Sequence, residues 1–118
     1  MMKILKSNNT TSIGDFLSEW IKACNSEQVK EGQLFGFTHN DKKILIVNQK
    51  GKIHATDLIC THADADLSTG ILSDEGVRCP LHLSVFNLED GCPQNLPAET
   101  PLTVYNVKID DNEIYVEV

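Results

Sequence analysis

The sequence predicts an all-β fold, a small antiparallel sandwich or barrel that carries an inserted ligand-bearing subdomain. Short β-branched runs recur at close spacing, turn residues separate them, and no long stretch keeps a helical period. With 118 residues the chain is one domain, large enough to bury a core without disulfide staples.

Taken in order, residues 1–12 are polar, and Ser7 to Ser12 read as a tail. Residues 13–20 fit a short helix on local pattern, with Ser12 as its cap and Ile13, Phe16, Leu17 and Trp20 on one face. Cys24 to Glu27 suggest a turn. The β pattern starts at residue 33. Residues 33–38 read as a strand, His39-Asn40-Asp41 as a turn, and residues 43–47 (KILIV) as the strand after it. Asn48 to Gly51 turn the chain into a strand over 52–56, which makes a hairpin. Near the end, residues 102–109 and 113–118 alternate at period two around Asp110-Asp111-Asn112, a second hairpin. Residues 57–101 differ from both hairpins. They hold all four prolines and three of the seven glycines, with short apolar runs, and read as an insert. Gly70 and Gly76 flank a small hairpin within it, and Gly91 and Pro93 turn the chain before it returns.

Charge narrows the partners. Residues 1–56 carry eight lysines against five acids, whereas residues 57–118 carry Arg78 and Lys108 against twelve. The formal net charge of −7 argues against nucleic acid and anionic membranes, which need a basic footprint. An acidic face of this kind would speed encounter with a basic partner, an effect that salt weakens. No run is long and apolar enough for a membrane helix, and the start turns polar too early for a signal peptide. These features predict a cytoplasmic chain, where thiols stay reduced and four cysteines read as ligands or buried thiols.

The insert holds the chemistry. Cys60-Thr61-His62 is followed, after sixteen intervening residues, by Cys79-Pro80-Leu81-His82, two Cys/His pairs placed in loops. Two thiolates and two imidazoles suit a tetrahedral zinc ion or a [2Fe–2S] cluster with two cysteines on one iron and two histidines on the other. Zinc sites of this composition usually keep like ligands together. The alternating order here fits two loops that each give one ligand to each iron.

Beyond the ligands, Leu67-Ser68-Thr69-Gly70 follows the first pair, Phe86 and Gly91 follow the second, and Pro97-Ala98 and Pro101-Leu102 come next. With Tyr105 and Ile114-Tyr115-Val116 these residues resemble the Rieske iron–sulfur family over residues 20–118. The resemblance implies a first strand from Trp20 to Cys24 in place of the helix. It also implies an N-terminal extension over 1–17, a Rieske domain over 18–118 and a cluster-binding subdomain over 57–101. The implied cofactor is one [2Fe–2S] cluster ligated by Cys60, His62, Cys79 and His82, with the two histidines facing the partner.

Respiratory members of the family carry two further cysteines that form a disulfide, and here those positions are Ala65 and Leu81. The chain therefore resembles soluble ferredoxins that carry single electrons from a flavin reductase to a terminal oxygenase, and it is not itself an enzyme. A nitrite reductase small subunit and a non-redox zinc module are the other readings. Leu83 stands where the family often has Gly. Ser84 matches a hydroxyl that hydrogen-bonds a cluster sulfur, while Phe86 replaces a second donor, a tyrosine. The implied potential lies toward the low end of the Rieske range, raised by Ser84. Cys24 reads as a buried thiol, Cys92 as a loop residue, and His39 and His54 as surface or satisfied side chains.

Overall fold

The computed structural model describes residues 19–61, 64–81, 84–95 and 100–118. Among the described residues, ten strands form three antiparallel sheets: β1 (Trp20–Asn25), β2 (Leu34–His39), β3 (Lys42–Gln49), β4 (Lys52–Asp57), β5 (Ile71–Ser73), β6 (Gly76–Arg78), β7 (Val85–Phe86), β8 (Val104–Tyr105), β9 (Val107–Asp110) and β10 (Glu113–Glu117). The sheet orders are β1-β10-β9, β2-β3-β4-β8 and β5-β6-β7. The predicted all-β class holds.

Strand β3 is the centre of the molecule. Its apolar run Ile44 to Val47 is wholly buried on both faces, which explains why the sequence there is continuous rather than alternating. Because side chains alternate across a strand, Ile44 and Ile46 face one way and Leu45 and Val47 the other. Ile44 and Ile46 pack with Cys24, Val29, Ala55, Ile114 and Val116, joining the sheet to β1 and β10. Leu45 and Val47 pack with Leu58, Cys60, Leu67, Val77, Cys79 and Phe86 of the insert. One strand thus supplies both halves of the core.

Turn chemistry sets the register. The β3–β4 hairpin closes on Gln49 and Lys52, with Lys50 at φ 55° and Gly51 at φ 90°. The β9–β10 hairpin closes on Asp110 and Glu113, with Asp111 and Asn112 at φ 52° and 65°. Two successive left-handed residues match the right-handed twist of the flanking strands. Both predicted hairpins are present, and so is a small one of β5 and β6; Gly70 precedes it as expected, but Gly76 opens its second strand, paired with Ser73, rather than flanking it.

Two elements differ from the local sequence pattern. Trp20 opens a strand, as the family resemblance implies, and does not close a helix; residues 13–18 of that helix, like the extension over 1–17, lie outside the described residues. The run at 102–109 is not one strand. Val104 and Tyr105 pair with β4, while Val107 to Asp110 pair with β10, so the chain changes sheets at Asn106. Period-two alternation reads the same on either side of such a switch, and only the partner strands reveal it. The turn after β1 is a single 3₁₀ turn, Ser26–Gln28, in which the Gln28 side chain accepts the Asn25 amide at 3.0 Å.

The insert is fastened to the β3–β4 hairpin along one flank. Gln49 donates to the Ser73 carbonyl at 2.7 Å, Lys50 pairs with Asp74 at 3.0 Å and Lys52 with Glu89 at 2.8 Å. These ion pairs are exposed, so water and salt screen them and they contribute little to stability. The buried His54 adds a hydrogen bond to the Leu88 backbone, so it is a satisfied residue, as expected.

Candidate metal centre

Cys60 and Cys79 open loops that are built alike. In the first, the Cys60 amide donates to the Ala65 carbonyl at 2.9 Å, five residues on. In the second, the Cys79 amide donates to the Ser84 carbonyl at 2.9 Å, again five residues on. The first loop is framed by an antiparallel bridge between Ile59 and Asp66 and by the Leu67 amide donating to Leu58. Asp64 takes φ 46°, a left-handed conformation that Asp tolerates better than most residues. Asp66 then caps the 3₁₀ turn Leu67–Thr69, its carboxylate accepting the Ser68 amide at 2.8 Å and hydroxyl at 2.6 Å. The second loop is held from beyond by the Asn95 side chain, which accepts the Val85 amide at 2.9 Å, and by an antiparallel bridge from Phe86 to Pro93.

Both loops deliver their cysteine to the same place. Cys60 is 2% exposed and Cys79 is 1% exposed, and both belong to the insert's core with Ala65, Leu67, Val77, Phe86, Leu88 and Leu102. No cysteine in the chain is in a disulfide. Two buried thiols, unbridged, on matched loops whose next residues Thr61, Pro80 and Leu81 lie at the surface fit the thiolate half of a cluster. A buried thiolate needs a cation to offset its lost hydration, and iron supplies one. The environment would hold ligands rigidly and keep water from the sulfurs, which is what outer-sphere electron transfer requires of a site.

Ala65 is buried and apolar, and Leu81 is 66% exposed, so neither position carries the thiol of a respiratory-type disulfide. Ser84 is fully buried, with its carbonyl on the Cys79 amide. Phe86 is fully buried at the heart of the insert. His62, His82, Leu83, Pro97 and Ala98 lie outside the described residues. Among the described residues no three Cys, His, Asp or Glu side chains converge as a metal site.

Three site features escape the sequence reading. Asp57 ties the two ends of the insert together, Thr61 donates to the Thr100 carbonyl at 2.7 Å, and Asn95 holds the exit of the second loop. An Asp closing a strand just ahead of the first pair is the one available signal for the first of these. Cys24, on β1, is buried in the core, and burial raises the pKa of its thiol, as expected of a structural cysteine. Cys92 is half-buried in the loop after Gly91.

A family model for the Rieske [2Fe–2S] domain matches residues 19–106. This chain belongs to the Rieske [2Fe–2S] domain family. Its cofactor is therefore the two-iron cluster and not the mononuclear zinc that the ligand types alone allowed. The chain is 35% identical over 96 residues to the ferredoxin component of biphenyl 2,3-dioxygenase from Rhodococcus jostii (strain RHA1), covering 81% of this chain and 90% of that one. It is 31% identical over 99 residues to the ferredoxin component of the naphthalene 1,2-dioxygenase system of Pseudomonas putida, covering 84% and 95%. A chain from the solved complex of reduced oxygenase and oxidized ferredoxin in carbazole 1,9a-dioxygenase matches with TM-score 0.77 at 30% identity, over 82% of this chain and 91% of that one. Among the described residues no helix is long and apolar enough to cross a membrane.

Proposed function

We propose that this chain is a one-electron carrier, the ferredoxin component of a ring-hydroxylating dioxygenase system, working between a flavin reductase and a terminal oxygenase. One observation carries the reading: the match spans 90% and 95% of two dioxygenase ferredoxin components, so the likeness is to whole carriers and not to one domain of a larger enzyme. The Rieske domain runs over 18–118 with its cluster-binding subdomain at about 57–101, and residues 1–17 are an extension.

Cys60, His62, Cys79 and His82 are the ligands, each loop giving one cysteine and one histidine. The buried cysteines at equivalent points of the two matched loops support this assignment. When bound, the cluster takes up and releases one electron without making or breaking bonds to a substrate. The chain's residues do the rest. Leu67, Val77 and Phe86 would wall off the sulfur side from water, and the buried Ser84 hydroxyl would donate a hydrogen bond to a cluster sulfur. The face around His62 and His82 meets the partner, and exposed Pro80 and Leu81 extend it with apolar surface. The acidic 57–118 half speeds encounter with basic partners.

The test has two parts. As-purified protein should be brown, and its reduced form should give a low-average-g EPR signal; a colourless protein with stoichiometric zinc would overturn the cluster. Stopped-flow mixing with a flavin reductase and an oxygenase should show electrons passing through the isolated chain, with rates that fall as salt rises. Stable co-purification with a large subunit and no such transfer would favour a fixed small subunit of a nitrite reductase or similar complex.

A further inference from the structure

The insert leaves the four-stranded sheet at the end of β4 and returns to it at β8, so its two stems meet at one neck. The backbone alone secures that neck poorly. Strand β8 has two residues, and its pairing with β4 is limited to Ala55 with Tyr105 and Thr56 with Val104. Asp57 extends the junction with its side chain. Its amide donates to the Thr103 carbonyl at 3.0 Å, one carboxylate oxygen accepts the Thr103 amide at 2.9 Å, and the other accepts the Tyr105 hydroxyl at 2.8 Å. Both oxygens of one carboxylate are thus spent on the returning stem, at sequence separations of 46 and 48 residues.

The consequence reaches the site because the outgoing stem is short. Leu58 follows Asp57, anchors its amide on the Lys43 carbonyl at 2.9 Å and buries its side chain in the insert's core. Ile59 bridges to Asp66, and the next residue is Cys60. Further out, Thr61 repeats the cross-link by donating to Thr100. We propose that Asp57 is a positioning residue for the metal centre: by joining Thr103 and Tyr105 to the stem that ends in Cys60, it sets where the first ligand loop lies relative to the second. This rests on the assignment of Cys60 and Cys79 as cluster ligands. Burial and the Asp57 hydrogen bond both push the Tyr105 phenol to higher pKa, so it stays a neutral donor throughout the working pH range. The latch therefore does not open by titration of that hydroxyl.

The experiment compares oxidised and reduced holoprotein for wild type, Tyr105→Phe, Asp57→Asn and Asp57→Ala. Three readouts are the line shape of the reduced EPR signal, the rate of iron loss to a chelator, and amide hydrogen exchange at Thr103. Tyr105→Phe keeps the carboxylate and its charge but removes one hydrogen bond. It should broaden the EPR signal and speed iron loss by about two- to tenfold, the scale of one lost hydrogen bond. Asp57→Ala should go further on both, and Thr103 exchange should rise in parallel. If Asp57 acted only through its charge, Asp57→Asn would shift the potential while line shape and iron loss stayed as in wild type, and Tyr105→Phe would change neither. That pattern overturns the proposal. Should Asp57→Ala fail to fold, Tyr105→Phe still decides between the two. A wild type that carries no cluster would instead refute the ligand assignment, a result separate from either.

Discussion

Leu45 and Ile46 are neighbours on β3, equally buried, and differ in which half of the core they fill. Truncating either to Ala removes three side-chain carbons from a fully buried site, which costs about 2–4 kcal/mol. For a domain of this size that lowers the melting temperature by about 8–16 °C in both variants. Cluster retention should separate them. Leu45 touches the insert that holds Cys60 and Cys79, so its loss makes local opening of the insert easier; 2 kcal/mol corresponds to about a 30-fold faster loss of iron to a chelator. Ile46 touches Cys24, Ile114 and Val116 on the opposite side, and Ile46→Ala should change iron loss by less than about threefold at temperatures well below melting. The assay follows the decay of visible absorbance under excess chelator at 20 °C or below, beside a thermal melt of each variant. Equal acceleration in the two would refute the division of the core by alternate residues of one strand.

Other expectations follow from single sites. Gly91 sits at φ 78°, where a Cβ would run into the Leu102 carbonyl oxygen; Gly91→Ala should cost about 2–3 kcal/mol, read as a lower melting temperature. Ser84→Ala should lower the reduction potential by about 60–130 mV, the value of one hydrogen bond to a charged acceptor, and a redox titration with no downward shift would remove Ser84 from the site. His54 is held neutral by burial, with its pKa below the ordinary value of 6.5. Above pH 6.5 this costs nothing, since the unfolded chain is neutral there too. As pH falls below 6.5 the unfolded state takes the proton first, so stability drops until the folded pKa is reached. His54→Gln should flatten that limb of the pH–stability curve, measured by chemical denaturation between pH 7 and 5.

Much of the fold was legible where local rules suffice. Lys50-Gly51 and Asp111-Asn112 announce their hairpins because left-handed turn positions restrict residue type, and the apolar run at 44–47 announces a buried strand. The sheet change at Asn106 was not legible, because alternation in 102–109 continues through it. Trp20 is ambiguous on local pattern alone: apolar spacing over so short a stretch fits a helix and a strand equally, and pairing with Glu117 decides for the strand. At the site, the loops and their cysteines were legible from spacing. Asp57 was not, since nothing in its neighbourhood reveals a partner 46 residues away.

The proposed ligand set, its alternating order and the missing disulfide at Ala65 and Leu81 are properties of residue identity and short spacing. The chain therefore declared its family and its cofactor before any coordinate was known. What depended on the tertiary structure was which residues meet across long separations: Leu45 and Val47 reaching the insert while Ile44 and Ile46 reach β10, and Asp57 closing the neck on Thr103 and Tyr105. Local preference cannot encode such meetings, because they arise only when distant segments have packed and buried polar groups must then be satisfied by whatever lies opposite.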